Sequence, residues 1–145
     1  SGQGATPPPA DIWLGDSLGE MALYYGMSDV ALLGGSFEPL GGQNLIEAAA
    51  CGCPVVMGPH TFNFAEAAEL SRAAGAAIRV DSMEAAVRTA VGLAGNQTAR
   101  AAAAEAARGF TGAHRDAARN TAAAIEQVLA NEQPTERPSG TGAAG

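Results

Sequence analysis

Between residues 29 and 93 the chain runs through one order three times: a short apolar run, a turn, then a helical pattern. The runs are "DVALLG" (29–34), "PVVMG" (54–58) and "AAIRV" (76–80). Continuous apolar runs of this length suit strands buried on both faces. Helical spacing lies between them, in 44–50 and again from 64, where Phe64, Ala67, Ala68 and Leu70 recur and Gly75 ends the pattern. Asp81 or Ser82 caps a further helix running to about Leu93. Strands alternating with helices predict a parallel sheet, right-handed crossovers and helices on both faces. A fourth strand is predicted at "DIWLG" (11–15), followed by a helix carrying Leu18, Met21, Ala22 and Tyr25. The expected class is α/β: a partial Rossmann-like domain with a mainly parallel sheet of about four strands.

Two late helices complete the pattern, roughly 97–108 and 113–129, the first made mostly of alanine. Residues 1–10, with three consecutive prolines, read as a disordered tail or linker, and residues 131–145, rich in Pro, Gly and Thr, as a disordered tail. The folded part is then 11–130, and a sheet this small suggests a piece of a larger protein. Apolar residues form 47% of the chain but aromatics only 5%, so the core must rest on Ala, Val, Leu, Ile and Met.

The formal net charge is -7 and no basic stripe occurs, which argues against a nucleic-acid partner. Lysine is absent, so an anionic ligand would meet arginine or backbone N–H groups. No run approaches the roughly 18 apolar residues of a membrane span, and no signal peptide is visible. Cys51 and Cys53 are too close for an unstrained bridge and too few for a metal site, so they read as small buried hydrophobes in a reducing compartment.

The densest stretch is "GGSFEPLGGQNLIEAAACGCPVVMGP" (34–59). Ligands of open α/β sheets bind beyond the carboxyl ends of strands, where Gly34, Gly35 and Ser36 fall. Gly41 and Gly42 directly precede a helix start near Gln43 or Asn44. Bare backbone beside the unpaired N–H groups of a helix start makes a phosphate cradle without lysine. Asn44 and Glu47 share a helix face, and Glu47 is placed to accept hydrogen bonds from sugar hydroxyls. The alternative stands beside it: glycines that build turns, an Asn44 cap and a solvated Glu47. A second loop, "GDSLGE" (15–20), also follows a predicted strand and opens a helix. Its Ser17 and Glu20 form a capping box, and Gly19 allows close approach of a ligand. His60 lies beyond another strand end, as a ligand contact or an ordinary loop histidine. Asn63 with Glu66 reads as a helix cap, and His114 as a surface residue. No Ser-His-Asp set or metal-ligand cluster emerges.

Residues 11–128 resemble a family. "LGDSLGEMALYY", "GGSFEPLGGQNLIEAAACGCPVVMGPHTFNF" and "AGAAIRV" are similar to the Kdo transferases, glycosyltransferases of lipopolysaccharide core assembly. The motif G-G-S-x-x-P-x-G-G-x-N-x-x-E, followed by G-P-H-x-x-N-F, carries the likeness. The resemblance implies the GT-B fold, of which this chain matches the later part of the second, donor-binding domain. It implies transfer of Kdo from CMP-Kdo to a lipid A precursor, with inversion, on the cytoplasmic face of the inner membrane, without metal or other cofactor. It places Gly41, Gly42 and Asn44 by the CMP phosphate, Glu47 by the ribose, and Gly34, Gly35 and Ser36 along the loop. Asp16, Ser17, Gly19 and Glu20 match a stretch facing the same cleft, and His60 and Asn63 match positions of less defined role. Gln43 stands where the family often has His, which keeps a hydrogen-bond donor and loses a charge. The family's catalytic base and acceptor site belong to the other domain, so no catalytic residue is assigned here. Two readings remain beside it: a GT-B transferase with a UDP-sugar donor, and a non-catalytic nucleotide-binding module.

Overall fold

The computed structural model describes residues 11, 12, 14, 15, 19–42 and 44–131. Residues 1–10 and 132–145 of the predicted tails, and Asp16, Ser17 and Gln43, lie outside the described residues. The order is α1 (Met21–Met27), β1 (Ala31–Leu33), α2 (Ile46–Ala50), β2 (Val55–Met57), α3 (Ala65–Ala73), β3 (Ala77–Arg79), α4 (Met83–Gly95) and α5 (Gln97–Asn131). Short 3-10 turns, Gly34–Ser36 and Phe62–Phe64, follow β1 and precede α3.

The three strands form one parallel sheet in the order β1-β2-β3. Ala31 pairs with Val55 and Leu33 with Met57, then Val55 with Ala77 and Met57 with Arg79. The apolar run in β2 explains its central place. Val55, Val56 and Met57 are all at most 1% exposed, although neighbouring residues point to opposite faces. Val55 and Met57 join Leu33, Leu45, Ala48, Ala49, Ala107 and Phe110 in the main cluster. Val56 points the other way, and α4 packs against β1 and β2. The α/β class with a helix-covered parallel sheet therefore holds. Alanine does much of the packing because the sheet and helices approach closely where side chains are small.

Three local expectations are corrected. The fourth strand is absent among the described residues: Asp11, Ile12, Leu14 and Gly15 lie outside any strand. Ile12 and Leu14 are 88% and 89% exposed, so no burial offsets the entropy of ordering them. The helix after it begins at Met21 with Glu20 in the capping position and no side-chain cap bond, rather than at a Ser17–Glu20 capping box. The two late helices are one helix of 35 residues. Gly109 and Gly112 each weaken a helix by about 1 kcal/mol relative to alanine, too little to break one flanked by alanine runs. Asn96 caps its start, Oδ1 accepting the N–H of Ala99 at 3.0 Å. Ser82 caps α4 as expected, its Oγ accepting from Ala85 at 3.2 Å.

Candidate functional site

The turn after β1 is closed by Phe37 N–H donating to the Gly34 carbonyl at 3.1 Å. At its centre Ser36 is fully buried. Its Oγ donates to the Leu33 carbonyl at 2.5 Å and accepts the Gly58 N–H at 2.7 Å. The Ser36 carbonyl in turn accepts the His60 N–H at 2.9 Å. Ser36 thus pins the loop leaving β1 to the loop leaving β2. It does not line an open surface, contrary to the sequence-based expectation, because its hydroxyl already has a donor and an acceptor partner within the protein.

The glycines serve the same packing. A Cβ on Gly58 would lie 2.4 Å from the Ser36 carbonyl oxygen. Gly41, at φ +84°, lies beneath the side chains of Asn63 and Phe62, and a Cβ there would meet Asn63 Nδ2 at 2.3 Å. Gly42, at φ +71°, sits between Phe64 and Ser36, and a Cβ on Gly35 would lie 3.7 Å from the Gly42 Cα. The second glycine pair is folded down onto the first. Much of the bare backbone at the carboxyl edge is therefore occupied by the protein itself. Gly34 is different: nothing lies within 4 Å of where its Cβ would be.

Beyond the glycines, α2 begins at Ile46, two residues later than the sequence suggests, and spans five residues. Asn44 Oδ1 accepts the Ile46 N–H at 3.0 Å, so Asn44 caps the start from two residues away. Glu47 is exposed in the first turn, while Leu45, Ala48 and Ala49 are buried. Ala50, at the end of α2, is exposed. Behind this face, burial raises the phenol pKa of Tyr25, and the nearby Glu47 carboxylate raises it further. Cys53 is buried and its thiol is pushed up to about 11, chiefly by desolvation, which suits an inert core thiol.

Three segments are brought together at this edge: 34–36, 41–42 and 58–64. Gly19, at φ +84°, and Glu20 stand before α1. The Ala22 carbonyl in the first turn of α1 accepts from Cys51 Sγ at 3.5 Å, at the end of α2 opposite the glycine pair. Glu20 Oε2 accepts from the Tyr24 hydroxyl at 3.3 Å.

Sequence reasoning read Asn63 as a cap or a family position of undefined role, and overlooked Thr61 and Arg79. Asn63 caps nothing: α3 starts after Phe64 without a side-chain cap bond, and Asn63 Nδ2 donates to the Leu40 carbonyl at 3.2 Å. Arg79 ends β3, where Nη2 donates to Thr61 Oγ1 at 2.8 Å and Nη1 donates to Glu69. Hydrogen bonds from Arg79, then Arg72, hold the Glu69 carboxyl below its usual range. The signal for Arg79 was present as a lone cation closing an apolar run. Elsewhere, a groove of about 850 Å³ runs between α3 and α5, with Leu70, Phe110 and His114 in its walls. Among the described residues no cluster of three His, Cys, Asp or Glu is placed to hold a metal, and no helix is long and apolar enough to cross a membrane.

A parallel sheet with loops gathered at its carboxyl edge defines a Rossmann-like ligand-binding domain. Sequence and structure comparisons narrow the class. The chain is similar to the 3-deoxy-D-manno-octulosonic acid (Kdo) transferases. It is 51% identical over 129 residues to the enzyme of that name from Bordetella pertussis, covering 89% of this chain and 30% of the relative. A probable mitochondrial Kdo transferase of Arabidopsis thaliana is 47% identical over 60 residues, covering 41% of this chain and 13% of the relative. The chain thus spans less than a third of the curated relatives it matches. The crystal structure of the C-terminal CMP-Kdo binding domain of WaaA from Acinetobacter baumannii superposes with a TM-score of 0.62 at 28% identity, covering 66% of this chain and 50% of that one. No protein-family model matches the chain.

Proposed function

We propose that this chain is part of the donor-binding domain of a glycosyltransferase, holding CMP-Kdo for transfer of Kdo to a lipid A precursor in lipopolysaccharide biosynthesis. The observation that carries it is the convergence of 34–36, 41–42 and 58–64 at the carboxyl edge of a sheet similar to that of a CMP-Kdo binding domain.

Within that reading the candidate site residues divide by exposure. Gly34, Asn44 and Glu47 keep open faces and meet the nucleotide, with Glu47 accepting from ribose hydroxyls. Gly35, Ser36, Gly41 and Gly42 hold the loop in shape beneath them. His60, Gly19 and Glu20 complete the donor surface. When the glycosidic bond breaks, CMP departs with added negative charge on its phosphate. N–H groups fixed near that phosphate stabilise the charge as it grows, without reorganising. Glu47 contributes positioning rather than proton transfer. Proton abstraction from the acceptor hydroxyl and binding of the lipid belong to the other domain of the whole enzyme, at the cytoplasmic face of the inner membrane. The chain alone therefore transfers no Kdo.

Glu47→Ala tests the reading. CMP binding to the chain should weaken about ten- to a hundredfold, the range for losing hydrogen bonds to a charged group. The urea midpoint should stay unchanged, because the side chain is exposed. Equal CMP affinity in the variant would remove Glu47 from the ribose.

A further inference from the structure

The segment 61–64 is fastened at two ends. At one end Thr61, 5% exposed, takes the Arg79 Nη2 hydrogen bond at 2.8 Å, and Arg79 Nη1 reaches Glu69 on α3. This end is therefore tied to both β3 and α3. The Phe64 N–H closes the turn on the Thr61 carbonyl at 3.1 Å. At the other end Asn63 Nδ2 donates to the Leu40 carbonyl, 23 residues away in sequence, at 3.2 Å. The same carboxamide and the Phe62 ring lie against Gly41, and the Phe64 ring lies against Gly42.

The held loop needs such a fastening. The described residues of 37–45 belong to no strand or helix, and apart from the Asn63 bond their hydrogen bonds are local, such as Leu40 N–H to the Glu38 carbonyl at 2.7 Å and Ile46 N–H to Asn44. Each residue of a loop costs backbone entropy to order, and a loop ordered before its ligand arrives binds more tightly. Asn63 is free for this task because α3 makes no use of it as a cap.

We infer that 61–64 is a brace for the glycine-rich loop, with Asn63 and Thr61 as positioning residues for the nucleotide site, Thr61 being held by Arg79. The inference rests on the donor-binding reading for its ligand, but the loop's order can be read without one.

The test uses four variants: Asn63→Ala; Asn63→Asp, which keeps the volume and removes the donor; Thr61→Val; and Thr61→Ser, which restores the hydroxyl. Backbone ¹⁵N order parameters of Gly41 and Gly42 are measured in the nucleotide-free chain, with the β2 amides as a control for folding. In Asn63→Ala, Asn63→Asp and Thr61→Val they should fall from about 0.85 to below about 0.6, the step from rigid to flexible backbone. Thr61→Ser should match the parent. CMP affinity should drop about tenfold in the three loosened variants, as expected when preorganisation is lost, and recover in Thr61→Ser. Order parameters that stay at the parent value with β2 intact overturn the brace. A loosened loop with undiminished CMP affinity overturns the positioning role. If the parent itself binds no CMP, the donor reading fails, and the order parameters alone decide for or against the brace.

Discussion

A methyl group added to Gly58 at the carboxyl edge would sit 2.4 Å from a backbone carbonyl oxygen, whereas one added to Gly109 or Gly112 on α5 would meet nothing within 4 Å. The sequence writes these positions with the same letter. At the edge, the missing side chain lets two loops touch through Ser36, and lets Asn63 and two phenylalanines lie on the glycine pair. On α5 the glycines are tolerated by a helix whose alanines supply enough propensity around them. The comparison teaches that glycine density alone does not mark a ligand site. What matters is whether the space is already filled, and here much of it is filled by the protein. The open remainder, at Gly34, Asn44 and Glu47, is smaller and more specific than the glycine pattern implied.

The largest effect should come from Gly58→Ala. Its Cβ meets backbone rather than a movable side chain, so the two loops must part or the sheet end must shift. Overpacking of this kind costs about 1–3 kcal/mol, and a matching fall in the urea unfolding midpoint would show it. A midpoint within error of the parent would mean the loops part freely, and the contrast with α5 would collapse. The smallest effect carries the opposite sign. Gly109→Ala, at an exposed helical position, should stabilise the chain by about 0.5–1 kcal/mol by lowering the entropy of the unfolded state. A loss of stability there would show that Gly109 has a packing role like the glycines of the edge.

The legible and illegible parts of the fold separate along physical lines. All three strands fall inside the predicted apolar runs; central β2 is covered on both faces and has little choice but to be continuously apolar, whereas edge strand β3 leaves Ile78 exposed. The run at 11–15 had the same look, yet Ile12 and Leu14 stand in solvent, since a strand also needs a neighbour and a pattern cannot supply one. The break expected within α5 does not occur, because the cost of Gly109 and Gly112 is modest in a helix made largely of alanine. At the candidate site, spacing was enough to put the glycine-rich stretch at the carboxyl end of β1 and Glu47 on an exposed helix face. Ser36 as a pin between loops was not, because the role depends on Gly58, 22 residues away. Asn63 and Arg79 were hidden for the same reason: each acts across the sheet edge, on Leu40 and Thr61, which local sequence cannot pair.

The most direct measurement is an amide NMR titration of the chain with CMP, with UMP as the control. The account predicts shifts centred on Gly34, Asn44 and Glu47, larger for CMP than for UMP, with the β2 amides undisturbed. Shifts centred instead on the α3–α5 groove around Phe110 and His114, or no shift at the carboxyl edge at millimolar CMP, would contradict it.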